Sequence, residues 1–161
     1  MTEISDATGL MAFWADIDAD YLLRYQEWHN CEHVPERVSI PGFLRGRRYR
    51  ATDGSNHFLM MYETDTPAVL ASDAYLAALN APTDWTREAL THFRNPSRNI
   101  YSRVASAGTQ GACTAQWVTS VRFNSAGHPD TDKWLTAIAA QAQVTRAQLW
   151  AVDEHVSGIQ T

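Results

Sequence analysis

Apolar residues in this chain change their spacing four times, from short strand-like runs to helix-like periods and back, in the order β-α-β-β-α-β. Gly9 to Ile17 (GLMAFWADI) is a continuous aromatic and aliphatic run and predicts a buried strand. From Asp18 or Asp20 onward, Tyr21, Leu22, Tyr25, Trp28, His29, Glu32 and His33 recur at intervals of three and four and form one helix face. Pro35 and the pair Pro41-Gly42 are expected to end that helix and turn the chain. Phe43 to Ala51 and His57 to Glu63 flank the turn Asp53-Gly54-Ser55 and predict a hairpin. Helical spacing returns from Pro67 through Leu79, breaks at Pro82, and resumes from Asp84 through Phe93. Asn99 to Ala105 predicts the last strand, and the whole is a split βαβ arrangement.

Beyond Gly108 to Gly111, a linker, half of this pattern repeats: a strand at Ala115 to Asn124, a helix capped by Asp130 or Thr131, and a strand at Arg146 to Val156. The expectation is therefore an α+β unit over 1–107 and a partial second βαβ unit over 112–161. Its free strand edges would be covered by the first unit or by another chain.

Charge narrows the partners. A net charge of -5 disfavours nucleic acid and anionic membranes, although Arg45, Arg47, Arg48 and Arg50 form one local basic run. Alternation puts Arg48 and Arg50 on one side of that strand and Arg45 and Arg47 on the other. Cys31 and Cys113 make no C-x-x-C pair and no disulfide framework, and Cys31 has the wrong helical phase to join His29 and His33. The opening residues carry no basic, apolar leader and no run approaches a membrane span, so the expected location is the cytoplasm.

Chemistry concentrates between His29 and Arg37. Imidazoles four residues apart project from the same side of a helix. Three readings compete. The pair is structural, with His33 as an imidazolium near the final helix carbonyls. Alternatively it performs general acid–base work, with Glu32 or Glu36 orienting a ring and Arg37 or Arg48 holding an oxyanion or carboxylate. Or it is half of a metal site completed by Asp16 or His57. The metalloprotease pattern is excluded, because Asn30 stands where its glutamate belongs. Asp16 and Asp18 are expected to cap the helix. Trp14, Trp28, Tyr49 and Tyr62 are candidate walls of an apolar pocket, while Arg94 and Arg98, around Pro96, are expected on the surface.

Trp28-x4-His33-Val34-Pro35, then Pro41-Gly42-Phe43, the strand ending Arg48-Tyr49, and the helix Ser72 to Leu79 together resemble the EthD-like branch of the dimeric α+β barrel superfamily. The resemblance runs from about Leu10 to Val104. It implies a ferredoxin-like unit whose sheet pairs with another, as a homodimer or between tandem units, around an apolar pocket. It also implies a cofactor-free enzyme acting on a small molecule, with His33 at the position matching the family's histidine. On that basis the expected function is isomerase, dehydratase or cyclase chemistry on an apolar or aromatic carbonyl or carboxylate compound. His33, His29 and Arg48 would be catalytic, Trp14, Trp28, Tyr49, Tyr62 and Arg37 would bind substrate, and no metal or organic cofactor is expected. The alternative is a non-catalytic module that holds a hydrophobic ligand or haem.

Overall fold

The computed structural model describes residues 6–109, 115–124 and 130–158. Cys113, the end of the expected linker and the expected boundary at 112 lie outside the described residues. Strand β1 (Gly9–Ile17) pairs antiparallel with β3 (His57–Thr64) on one side and β4 (Phe93–Gly108) on the other, and β2 (Phe43–Arg50) pairs antiparallel with β3. The hydrogen-bonded order is β2-β3-β1-β4-β5, with β5 at Arg146–Val152. This is the ferredoxin-like α+β arrangement.

The chain divides into two compact units. One is Ala7–Ser102 together with the segment from Val152, and it carries the core. The other is built on Arg103–Ala151. Among the described residues no helix is long and apolar enough to cross a membrane.

Register decides which side chains meet. Met11 lies opposite Tyr62 and Ile100, Phe13 opposite Met60 and Arg98, and Ala15 opposite Phe58. These share one face, and the helices cover it: Tyr21, Tyr25, Trp28, Leu70 and Tyr75 belong to the same buried cluster. Leu10, Ala12 and Trp14 point to the other face and are buried as well. Burial on both faces explains why β1 reads as an unbroken apolar run rather than an alternating one.

The helical stretch after β1 opens with a 3-10 turn (Ala19–Tyr21), continues as α1 (Leu22–Trp28), widens to a π turn (His29–His33) and closes as α2 (Val34–Val38). Pro35 does not end it, contrary to expectation. A proline ring clashes with the carbonyl four residues back, here Cys31, and supplies no N–H. The π turn accommodates both by lengthening the loop: the Val34 N–H donates to the His29 carbonyl, five residues back. The turn into β2 falls at Pro41-Gly42, where Gly42 has φ +90 and a Cβ would strike Val69.

The helix expected from Pro67 is a 3-10 turn over Pro67–Ala71, after which α3 (Asp73–Asn80) begins, and α4 (Asp84–Leu90) starts at Asp84 as expected. Ser72 Oγ accepts from the Tyr75 N–H and Thr83 Oγ1 from the Thr86 N–H. Strand β4 differs from the expected Asn99–Ala105. It begins at Phe93, in the stretch read as helical, and the register with β1 shifts between Trp14 and Asp16. Asn95 adopts φ 49 next to Pro96, so the proline sits at an irregularity where no ladder N–H is needed.

The expected last strand to Val156 stops at Val152. Asp153 Oδ1 caps α6 (Glu154–Ser157) by accepting from the Val156 N–H, and Val156 joins the main core. The Asp153 N–H donates to the Ile100 carbonyl, and Ser157 Oγ accepts from the Ile100 N–H. The β4 edge at Ile100 is thus satisfied from the two ends of α6, by Asp153 and Ser157.

In the other unit, α5 (Thr131–Ala139) is capped by Asp130 as expected, and the Thr109 N–H donates to Thr145. The expected strand at Ala115 to Asn124 is absent: those residues are irregular, with Trp117 and Val121 exposed. Alternating apolar residues mark a two-sided segment, but a strand also needs a hydrogen-bonded neighbour.

Candidate functional site

Tyr25, Trp28 and His29 of the first helix all lie within the core. Trp28 is fixed by a short polar chain. Its Nε1–H donates to Thr86 Oγ1 (3.1 Å), and the hydroxyls of Thr86 and Thr83 both donate to the Glu32 carboxylate. Glu32 therefore anchors the tryptophan and does not orient an imidazole. His33 stacks on the Trp28 ring at 4.4 Å and 28°, and its ring meets Tyr62 edge-on at 6.1 Å.

The π turn gives the two histidines different surroundings. His29 is 1% exposed and its Nε2 hydrogen-bonds the Tyr62 hydroxyl at 3.1 Å. His33, one turn on, faces a cavity of about 180 Å³ between the sheet and the helices, and its Nδ1 is buried without a hydrogen-bond partner. The walls are largely apolar: Met11, Phe13, Trp28, Met60, Leu79 and Phe93. Polar groups enter from His33, Arg37, Tyr62, Tyr75, Thr86 and Arg98. Among the described residues no aspartate or glutamate lines it. Exposed Leu90 and Arg98 mark the mouth.

Two guanidinium groups flank Tyr75. Arg37 is 3% exposed, its Cζ lies 5.7 Å from the Tyr75 ring centre, and its Nη1 has no hydrogen-bond partner. Arg98 donates from Nη2 to the Tyr75 hydroxyl (3.0 Å) and from Nε to Met11 Sδ (3.2 Å).

Burial, reinforced by Arg48, lowers the His29 imidazole to about 3. Burial, then Arg37 and His29, hold His33 well below the ordinary histidine value. Burial also raises the Tyr62 and Tyr25 phenols above theirs. At neutral pH both imidazoles are uncharged, and the imidazolium expected at the helix end does not form.

Of the residues expected at a site, His33, Trp28, Tyr62 and Arg37 come together around the cavity. His29 lies behind it, on Tyr62. Arg48 is on the helix-facing side of β2, as its register with Met60 requires, but its guanidinium lies over Tyr25 at 5.4 Å and does not line the cavity. Trp14 and Tyr49 pair with Leu59, on the opposite face of the sheet.

Asp16 and His57 also belong to that face and bond each other at 2.6 Å, so neither completes a metal site with His29 and His33. Nor do the two aspartates cap the helix as expected. Asp16 also accepts from Asn95, and Asp18, although at the cap position, bonds His92 and Arg94 instead of a helix N–H. The one cluster among the described residues with three ligand atoms in mutual reach is Asp18, Asp20 and His92, away from the histidine pair. Cys31 is exposed, as its phase predicts.

Arg98 and Tyr75 were not legible as site residues. Pro96 disguised the start of β4, which puts Arg98 opposite Phe13 on the cavity face. Tyr75 looked like any apolar position of its helix.

No protein-family model and no curated protein matches the chain. Solved structures with a similar fold include a dimeric ferredoxin-like protein from an uncultured marine organism, with 12% identity, 71% of this chain and 95% of that one covered, and a TM-score of 0.48. An antibiotic biosynthesis monooxygenase shows 13% identity over 60% of this chain and 99% of that one, at 0.47. SnoaB, a cofactor-independent oxygenase from Streptomyces nogalater, shows 10% identity over 58% and 90%, at 0.45.

Proposed function

We propose that this chain is a cofactor-independent enzyme that uses imidazole acid–base chemistry on a small aromatic or apolar carbonyl compound. The observation that carries the reading is His33, which lines a largely apolar cavity and whose Nδ1 is buried with no partner in the protein. A buried ring nitrogen left unsatisfied is costly unless something else uses it. Beside it lies Arg37, a cation placed to face negative charge that develops on a substrate oxygen.

The chemistry that fits is proton transfer next to a carbonyl. His33 takes a proton from the carbon alpha to the carbonyl, and the electron pair moves onto the oxygen, which Arg37 stabilises. Return of the proton to another carbon isomerises the substrate; where the β carbon carries a hydroxyl, re-formation of the carbonyl expels it as hydroxide, which takes the proton from His33 and leaves as water. Tyr62, held by His29, positions the ring edge of His33. The Trp28-x4-His33-Val34-Pro35 and Pro41-Gly42-Phe43 pattern supports a place near the EthD-like branch, and pairing of two copies as a homodimer belongs to the same reading.

General acid–base help of this kind contributes about 10²–10⁴-fold. The test needs no known substrate. Aryl ketones and aryl keto acids are incubated with the protein in D2O, and deuterium uptake at the alpha carbon is read by mass spectrometry. At least one compound should exchange above the buffer rate, and His33→Ala should slow it about 10²-fold or more with the fold kept by circular dichroism. Exchange that His33→Ala leaves unchanged, or none with any compound, would end the proposal.

A further inference from the structure

Among the described residues no carboxylate pairs with Arg37 and none lines the largely apolar cavity it faces. At 3% exposure it has almost no water, and Nη1 has no acceptor. Several other arginines have carboxylate partners, Arg45 with Glu63, Arg94 with Asp18 and Arg24 with Glu88, whereas Arg48, outside the cavity, shares with Arg37 an aromatic face and an unpartnered Nη1. A buried charge left unpaired is heavily penalised. The face of Tyr75 offsets only part of that penalty for Arg37.

A second cation, Arg98, stands at the mouth, held by Tyr75 and Met11. Anything entering the cavity passes one positive charge and ends near another.

Size and wall chemistry define the rest of the ligand. An apolar cavity of about 150 Å³ accommodates benzene; this one has about 180 Å³ and is walled by Trp28, Phe13, Phe93 and Met60. That is room for one ring and one small substituent. Typical sites for drug-sized ligands run to roughly 300–1,000 Å³, so this cavity suits a smaller ligand.

We propose that the cavity selects a single-ring aromatic carboxylate, with the carboxylate paired to Arg37 at the inner end and its entry favoured by Arg98 at the mouth. The inference rests on the same cavity being the functional site, and it deepens the proposed function by naming the substrate class. A carboxylate on Arg37 also cancels the field that Arg37 exerts on His33, so the correct substrate strengthens the base that acts on it.

Isothermal titration of the whole chain with benzoate, benzamide and 2-naphthoate tests this directly. Benzamide has the shape of benzoate without its charge. Charge-assisted hydrogen bonds in a dry site favour benzoate by at least ~10-fold. Arg37→Gln and Arg37→Met should both reduce benzoate to the benzamide level; methionine keeps the length and apolar packing, so it folds even where glutamine does not. Arg98→Gln should weaken benzoate less and flatten its salt dependence, and 2-naphthoate should bind more weakly than benzoate. Equal affinity for benzoate and benzamide, or full benzoate affinity in Arg37→Met, would overturn the proposal. Benzoate has no exchangeable alpha proton, so its binding is independent of the deuterium assay. Arg37-dependent benzoate binding with no exchange removes the reaction and keeps the ligand class; exchange on neutral ketones with no preference for acids does the reverse.

Discussion

Replacing His29 should make the protein less sensitive to acid, and the size of the effect follows from where the ring sits. The imidazole is enclosed by Tyr25, Trp28, Tyr62 and His33, with Arg48 as the nearby positive charge. Its folded value of about 3 lies below the unfolded value of 6.5. Between these values the unfolded chain binds a proton that the folded chain refuses, so stability is complete above pH 6.5 and falls as pH drops toward 3. Each such group steepens the fall by about 1.4 kcal/mol per pH unit, and over the whole window His29 contributes up to about 5 kcal/mol, comparable with the total stability of an ordinary domain. Asp16, Asp53 and Glu88, held low chiefly by hydrogen bonds from Asn95, Ser55 and Tyr21, add a loss of the same sign only at the acid end, as pH falls through the carboxylate range. Urea unfolding of wild type and His29→Gln between pH 4.5 and 5.5 isolates the histidine. The variant should start less stable at pH 7.5, having lost ring packing, yet its stability should fall about 1.4 kcal/mol per pH unit less steeply. Parallel slopes would mean that His29 is not buried as an uncharged ring, and the reasoning would fail.

Arg37→Met should raise Tm in the absence of ligand by about 4–8 °C, the shift that about 1 kcal/mol produces in a domain near 100 residues, because it removes an uncompensated buried charge; calorimetry reads it, and a fall in Tm would count against the unpaired guanidinium. Thr86→Val should cost about 1–3 kcal/mol in urea unfolding by stranding the Trp28 indole N–H. Gly46→Ala places a Cβ 3.0 Å from Tyr62 Cε1 and 3.1 Å from Val34 Cγ1. It should destabilise by about 1–3 kcal/mol and displace Tyr62 from His29, seen as altered His29 ring signals in NMR.

Element order was legible because each strand and helix carried its own period, and β1 matched its expected span of Gly9 to Ile17. The hairpin was legible from Asp53-Gly54-Ser55, where the Ser55 N–H does bond Asp53 Oδ1. The sequence also separated Arg48 from Arg45, and the register confirms the two sides. What alternation does not say is which side of a sheet the helices cover, and so Trp14 and Tyr49 looked as much like pocket walls as Tyr62. Prolines misled in both directions. Pro35 reads as a stop, but a π turn absorbs it and carries the helix on past His33. Pro96 reads as a loop, but β4 passes through it and brings Arg98 to the cavity. Both depend on local backbone irregularities that residue spacing does not encode.

Nitrogen-15 NMR of His33, titrated from pH 4 to 8 with and without benzoate, addresses most directly the claim that an uncharged imidazole and an unpaired arginine share one ligand cavity. The ring should be neutral throughout the upper half of that range when the cavity is empty, with protonation beginning far below the ordinary histidine midpoint, and benzoate should move that midpoint upward in wild type but not in Arg37→Met. An ordinary midpoint near 6.5 that benzoate leaves in place would contradict it.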